Sequence, residues 1–456
     1  MIQRTIAQIE KMISVHNDIS GISSIDINGV CIDTRKITKG NLFVPFKGEK
    51  TDGHQYVEAA LGQGAAAALW QKDVPNPPLH LPVIVVEDTL VALQELARSY
   101  RNQLTQLKVI GITGSNGKTT TKDITANLMA LQYKVQKTEG NYNNHLGLPL
   151  TVLNLDEDTD IAILEMGMSA RGEIQFLTEL ARPHAVMITN IGESHLLDLG
   201  SRAGIAEAKL EIIAGLEDNG LVVYNGDEPL LRERMVDYQG HVKTFGRNQD
   251  NDLYPVGITS TAQGNVFSVN GLDQEFSLPV LGTHNVLNAL AAMLVANHFG
   301  VPFARMNEGF ASLKLTNMRM ELVNGKNGEK IINDAYNASP TSMKAAIELI
   351  NNLKGYQQKI LVLGDMLELG PQEVEFHREV GAMVNPQEID LVFTYGQLGR
   401  EIAEGAKTVL QGDRVKSFTD KTELTKELIK YTNQETLILI KASRGMKLEE
   451  IATALQ

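Results

Sequence analysis

The chain has 456 residues, 42 Lys+Arg against 55 Asp+Glu for a formal net charge of −13, with 43% hydrophobic and 21% charged residues; this suggests about three packed domains at roughly 150 residues each and excludes a disordered chain. The acidic balance argues against nucleic-acid or anionic-membrane binding, which need basic surface. The single cysteine, Cys31, excludes an internal disulfide or Cys-rich metal site, and with no signal-like or ~20-residue apolar segment a cytoplasmic protein is expected.

The opening MIQRTIAQIEKMI reads as a short amphipathic helix. Asn28-Gly29 is a turn before the strand-like Val30–Ile32, and the Ala-rich stretch Gly62–Trp70 reads as helical. Pro75, Pro77, Pro78 and Pro82 break the chain before a buried-strand run, Val83–Val86. Residues 89–103 read as a helix with Leu90, Leu93 and Ala97 on one face, which closes a small α/β domain near residue 104. From Lys108 the rhythm changes. Short apolar strands at Val109–Ile112, Lys134–Thr138, Ile161–Leu164, Ala185–Ile188 and Leu221–Tyr224 alternate with helical patterns, the signature of a mostly parallel sheet with helices on both faces. Residues 256–281 alternate around Asn270-Gly271 and predict a small antiparallel patch, followed by a helix from Asn285 to Phe299. The last ~140 residues repeat the α/β pattern, with strands at Lys330–Ile332, Ile360–Leu363, Leu391–Thr394 and Leu437–Ile440, and predict a doubly wound Rossmann-like sheet. The expected fold class is thus α/β in three domains, 1–104, 105–316 and 317–456, with hinges near 104–108 and 315–319.

The strongest chemical signal is Gly111-Ile112-Thr113-Gly114-Ser115-Asn116-Gly117-Lys118-Thr119-Thr120, set between a strand and a helix. Glycines let the backbone curl so that N–H groups face an anion, and the helix N-terminus adds partial positive charge. Lys118 is placed to reach β- and γ-phosphates and Thr119 to ligate Mg²⁺. The strict P-loop spacing fails, because its first glycine would fall at Ile112. Three polar clusters follow strand ends, where open α/β sheets bind ligands: Glu165; Asn190 with His195; and Asn141, Asn143 and Asn144. Taken alone, each is more often a solvated loop residue or a cap, and it is their shared placement that points to a site. Lys209, on a helical stretch, reads by itself as an ordinary surface lysine.

Together these segments resemble the Mur ligases, ATP-dependent amide-bond-forming enzymes of peptidoglycan precursor synthesis. The likeness runs over essentially the whole chain: Thr113–Thr120, then Gly140–Asn144 with Gly147-Leu148-Pro149, Glu165-Met166-Gly167, Thr189–Gly192 with His195, Ala208–Glu211, and Gly282–Asn285 with Asn288. Asp33-Thr34-Arg35, Gly40–Phe43, Lys47-Gly48 and Asp52–His54 resemble the N-terminal domain of the late-acting members. Asn333–Pro340 and Leu363–Gly370 resemble the member that joins D-alanyl-D-alanine to UDP-N-acetylmuramoyl-tripeptide. Two positions depart from the family pattern: Ser339 precedes Pro340 where asparagine is usual, and Leu197, with Asp198 next, stands where an acid often follows the histidine.

The resemblance implies the following roles. Gly114, Ser115, Asn116, Gly117, Lys118, Thr119 and Thr120 hold ATP phosphates, with His284 and Asn285 beside the adenine and Arg319 and Asp334 on ribose or phosphate. Thr119, Glu165, His195 and a carbamylated Lys209 hold two Mg²⁺ ions, and Lys118, Glu165, His195 and Lys209 form the catalytic set. Thr34, Arg35, Lys47, Asn141, Asn144, Lys441 and Arg444 face substrate. A monomer is expected, with no nucleic-acid or membrane partner. The alternatives are another amide ligase on the same scaffold, such as a folylpolyglutamate synthetase-like enzyme, and a nucleotide-binding switch protein that has lost ligation.

Overall fold

The computed structural model describes residues 1–48, 51–261 and 263–456. The first sheet has four parallel strands, Val30–Cys31, Leu42–Phe43, Ala67–Gln71 and Val83–Val86, in that spatial order. Two expectations fail here. The stretch Gly62–Trp70 is not helical: a helix, Val57–Gly62, ends where it begins, and Ala67–Gln71 is a strand. Ala67, Ala68, Leu69 and Trp70 are all buried, so both strand faces are covered and the apolar run carries no alternation to betray it. The N-terminus is a strand, Gln3–Thr5, followed by a single helical turn, Ile6–Ile9, closed by a Thr5/Gln8 capping box.

The helix Thr89–Gln103 starts where Asp88 caps the N–H groups of Leu90 and Val91. It buries Leu93, Leu96, Ala97 and Tyr100 against helices Gly147–Leu153 and Glu173–Ala181, so the first sheet's unit shares one core with the next. Arg101, buried, ties this junction by donating to the carbonyls of Ala181 (2.7 Å), Arg182 (3.1 Å) and Leu104 (3.3 Å).

The second sheet has six parallel strands, ordered His241–Phe245, Leu221–Asn225, Ala185–Ile188, Lys108–Thr113, Ile161–Glu165 and Val135–Lys137. The chain leaves Lys108–Thr113 toward one edge, then returns to build the other side beginning with Ala185–Ile188. That reversal opens a crevice at the carboxyl end of Lys108–Thr113, where a ligand fits. Helices Lys118–Met129 and His284–His298 pack together over one face. The antiparallel patch is present as Pro255–Thr261, Gly264–Val269 and Glu275–Leu278.

The third sheet is ordered Glu321–Asn324, Lys330–Asn333, Thr436–Lys441, Gln358–Gly364, Leu391–Tyr395 and Val415–Phe418. All pairings are parallel except the first, an edge hairpin. Apolar clusters cover both faces. Among the described residues no helix is long and apolar enough to cross a membrane.

Candidate active site

Lys108–Thr113 runs into the turn Gly114–Gly117, and the helix Lys118–Met129 follows directly. Two glycines are dictated by space and backbone. At Gly114 (φ +147°) a Cβ would stand 1.8 Å from Thr189 Oγ1, and at Gly117 (φ +82°) one would stand 2.6 Å from Asn288 Oδ1. The end of the neighbouring strand clamps the turn. Asn116 O accepts from Thr189 Oγ1 (2.5 Å) and Asn190 Nδ2 (3.0 Å), while Ser115 N and Asn116 N donate to Asn190 O (3.0 Å) and Asn190 Oδ1 (2.9 Å).

Ser115 and Asn116 therefore spend their N–H groups inside the protein. The N–H groups left for a phosphate are those of Gly117, Lys118, Thr119 and Thr120, the four that a helix start leaves without intrahelical acceptors. The first intrahelical bond is Thr121 N to Gly117 O, at 2.8 Å. With the helix dipole, these four form an anion site.

Glu165, 3% exposed, ends its strand beside this site. Its Oε2 accepts from Thr119 Oγ1 (2.9 Å) and its Oε1 from Asn143 Nδ2 (2.9 Å). Asn143 is thus the asparagine that reaches the site. Asn144 caps the helix Gly147–Leu153 by accepting from Gly147 N (2.9 Å), and Asn141 is exposed. Arg319 arrives from the far side of the crevice. Its Nη2 donates to Thr119 Oγ1 at 3.2 Å, its guanidinium lies 4.0 Å from the Tyr336 ring centroid, and its buried Nε has no acceptor.

Lys118 Nζ donates to Gly114 O at 2.8 Å. Burial pushes its pKa down, Glu165 opposes this and Arg319 adds to it. Lys209, on the helix Arg202–Leu210, is 2% exposed and has no ion-pair partner among the described residues. Burial, then the neighbouring Lys118, drives its pKa well below the usual lysine value. It is therefore no surface lysine. His195, in the left-handed region (φ +64°), places Nδ1 2.8 Å from Glu368 Oε2, without hydrogen-bond alignment. Burial lowers its pKa and Glu368 opposes, while Lys118 and Lys209 lower it further. Lys118 and Arg319 thus stand by one carboxylate, Glu165, with Lys209 next to Lys118. The excess of cations, with an orphaned guanidinium N–H, fits an anionic ligand.

One cavity meets this centre and a second lies away from it. The first, about 260 Å³, is lined by Gly117, Thr120, His284, Asn285, Asp334 and Lys441, among others. Burial pushes His284 down to about 4, with Asp334 opposing and Lys441 and Arg247 adding. Asn285 donates to Leu281 O (2.7 Å) and accepts from Asn288 (2.8 Å). Lys441, buried, pairs with Asp334 and donates to Asn337 O at 3.0 Å, so it belongs to the wall of this cavity. Arg444 pairs with Glu449 (2.7 Å) outside it. The other cavity, about 670 Å³, lies between the first and second sheets; its lining includes Asp33, Lys36, Asn127, Lys137 and Tyr142. Thr34, Arg35 and Lys47 are not in its lining: Arg35 folds back on Asp33 (2.8 Å), which holds that carboxyl down to about 2, and Lys47 pairs with Asp73 (3.0 Å).

Comparison with known proteins bears on this arrangement. Three family models match in order: "Mur ligase family, catalytic domain" over residues 26–101, "Mur ligase middle domain" over 112–296, and "Mur ligase, glutamate ligase domain" over 318–444. UDP-N-acetylmuramoyl-tripeptide--D-alanyl-D-alanine ligase of Bacillus subtilis (strain 168) is 52% identical over 451 residues, covering 99% of this chain and 98% of its own. This chain belongs to the Mur ligase family. Among solved structures, MurF from Acinetobacter baumannii superposes with a TM-score of 0.90 at 28% identity, covering 100% of this chain and 99% of its own. MurF ligase from Thermotoga maritima in complex with ADP gives 0.81 at 29% identity, covering 94% and 97%.

In this Mur ligase the site draws on strand ends of the second sheet and on residues more than 120 positions further along the chain. Nothing in the sequence alone singles out Tyr336 and Glu368 as site residues. Both lie inside family motifs, and their pairing with Arg319 and His195 is a property of the folded arrangement alone.

Proposed function

We propose that this Mur ligase joins D-alanyl-D-alanine to UDP-N-acetylmuramoyl-tripeptide, coupled to cleavage of ATP, and so completes the pentapeptide precursor of peptidoglycan. The observation that carries the reading is the meeting of an anion site at Gly117–Thr120, the carboxylate of Glu165 and the cations Lys118 and Arg319 beside a cavity that Gly117, Thr120 and Arg319 line. The full-length likeness to the Bacillus subtilis ligase names the substrates, and the ADP complex of the Thermotoga maritima relative supports ATP as the nucleotide.

A carboxylate is a poor electrophile, so the tripeptide's terminal carboxylate attacks the γ-phosphorus first. The P–O bond to ADP breaks and an acyl phosphate forms. The free amine of D-alanyl-D-alanine then adds to the activated carbonyl, the tetrahedral intermediate expels phosphate, and the proton lost from nitrogen passes to solvent. The first step brings a carboxylate against a triphosphate. The N–H groups of Gly117–Thr120 hold the phosphate tail, Lys118 and Arg319 offset its charge, and His284, Asn285, Asp334 and Lys441 enclose the nucleoside. Such positioned donors and charges supply most of the rate enhancement in phosphoryl transfer.

The Thr119 hydroxyl and Glu165 carboxylate are hard oxygen donors, and among the described residues no cluster of three or more His, Cys, Asp or Glu is assembled. That set suits a cation that keeps phosphate and water ligands, as Mg²⁺ does. Thr119, Glu165 and His195 would hold Mg²⁺, which when bound neutralises phosphate charge. Carbamylation needs a neutral amine, and burial beside Lys118 shifts Lys209 toward that form. A carbamate there would add a second carboxylate-like ligand. The proposal takes residues 1–104 as the unit for the UDP-sugar, 105–316 for ATP and 317–456 for closure over both, in a cytoplasmic monomer.

Phosphate release by the pure protein tests the reading, with ATP, Mg²⁺, UDP-N-acetylmuramoyl-tripeptide and D-alanyl-D-alanine, each omitted in turn. Full release is expected only when all are present. Nucleotide binding without substrate-dependent release would instead favour a protein that has lost ligation.

A further inference from the structure

The connection between the second and third sheets' units, residues 312–320, lies along the helix that follows the phosphate-binding turn. Two fastenings hold it there. Arg319 Nη2 donates to Thr119 Oγ1 at 3.2 Å, and Thr316 donates both its N–H (2.8 Å) and its hydroxyl (2.9 Å) to Asp123 Oδ2. Thr119 and Asp123 sit one turn apart on the same helix face. Asp123 is fully buried, and its other oxygen accepts from Lys137 Nζ at 2.7 Å. Lys122, 3.6 Å away, is already committed to Thr138 O at 2.8 Å. Lys137, with a side chain 25% exposed, lines the 670 Å³ cavity. One buried carboxylate thus stands between a cavity wall and the chain that joins two units.

The reaction derived above uses neither Asp123 nor Lys137. A buried carboxylate is costly to leave underpaired. Whatever draws the Lys137 ammonium toward the cavity obliges Asp123 to rely more on Thr316. The cavity has a suitable occupant on the proposed reading, because a UDP-linked peptide acid is anionic at its diphosphate and its carboxylates. It also borders the segment that reaches the reacting centre: Tyr142 lines it, and the next residue, Asn143, holds Glu165. Resting on that reading, we propose that Lys137 is an anion-binding group for the acid substrate and that Asp123 is a positioning residue transmitting cavity occupation to the 312–320 connection, and through Arg319 to the phosphate site.

Lys137→Met, Thr316→Val and Asp123→Asn test this in the full-length enzyme, by steady-state kinetics and by fluorescence energy transfer between labels on the second and third sheets' units. Lys137→Met should raise KM for UDP-N-acetylmuramoyl-tripeptide by ~10-fold, the scale of one charge-assisted hydrogen bond, with KM for ATP little changed, and Lys137→Arg should restore it. Thr316→Val keeps the N–H and loses the hydroxyl. It should leave the tripeptide KM near the parent's, lower kcat, and weaken the energy-transfer change that the tripeptide produces. The Lys137→Met/Thr316→Val double variant should be non-additive. If Asp123→Asn fails to fold, these two variants still decide the matter. An unchanged tripeptide KM in Lys137→Met, or an undiminished energy-transfer change in both single variants, or strict additivity, overturns the proposal. A parent enzyme that releases no phosphate with this tripeptide overturns the assigned reaction instead.

Discussion

Replacing Lys209 with methionine should separate stability from activity. The ammonium is buried, lacks an ion-pair partner among the described residues, and is disfavoured first by desolvation and then by Lys118. A base whose folded pKa lies below its unfolded value binds more protons when unfolded. Stability therefore rises with pH across the window from the folded value up to 10.5, and the penalty is complete below that window. Methionine fills similar space without charge. Replacing buried ionic groups by packed apolar ones stabilises by about 1–4 kcal/mol. In CO₂-free buffer at pH 7, urea unfolding of the variant should show a gain of that order, which shrinks as the pH approaches 10. Phosphate release should fall by at least ~10²-fold, as for loss of an oriented charge-stabilising group. Bicarbonate should stabilise the parent alone, since a carbamate would set an anion beside Lys118. A variant less stable than the parent in CO₂-free buffer would show that the ammonium has a partner which this geometry lacks, and would refute the reasoning.

Lys118→Ala should lose more than ~10²-fold in turnover, checked by phosphate release. Gly114→Ala must place a Cβ 1.8 Å from Thr189 Oγ1 at φ +147°, so calorimetry should detect no ATP binding even where the variant folds. His184, whose Nδ1 accepts from Val109 N (3.2 Å), and His284 are both pushed down to about 4 by burial. Each favours the folded state fully above its ordinary 6.5 and loses that contribution as pH falls toward 4, so urea midpoints should drop across that window and drop less in His284→Asn.

Much of this site was legible because its signals are local. The glycine spacing, Lys118, Thr119 and the strand-terminal Glu165 are adjacent in sequence to the elements that position them. Pairings across the crevice were not legible. Tyr336 under Arg319 and Glu368 beside His195 depend on how the third sheet's unit docks. Asn141, Asn143 and Asn144 are chemically identical, and only the turn geometry makes one a partner of Glu165 and another a helix cap. In the fold, the strands His241–Phe245, Glu321–Asn324 and Val415–Phe418 escaped detection because all three are sheet edges, half exposed and without a continuous apolar run. Ala67–Gln71 escaped for the opposite reason, being buried on both faces.

Isotope transfer tests the central claim most directly. With UDP-N-acetylmuramoyl-tripeptide carrying ¹⁸O in its terminal carboxylate, each turnover should deliver one labelled oxygen to the released phosphate, read by mass spectrometry. Amide product formed alongside unlabelled phosphate would contradict attack of the acid on the γ-phosphorus, and with it the roles of Gly117–Thr120, Lys118 and Arg319 in that step.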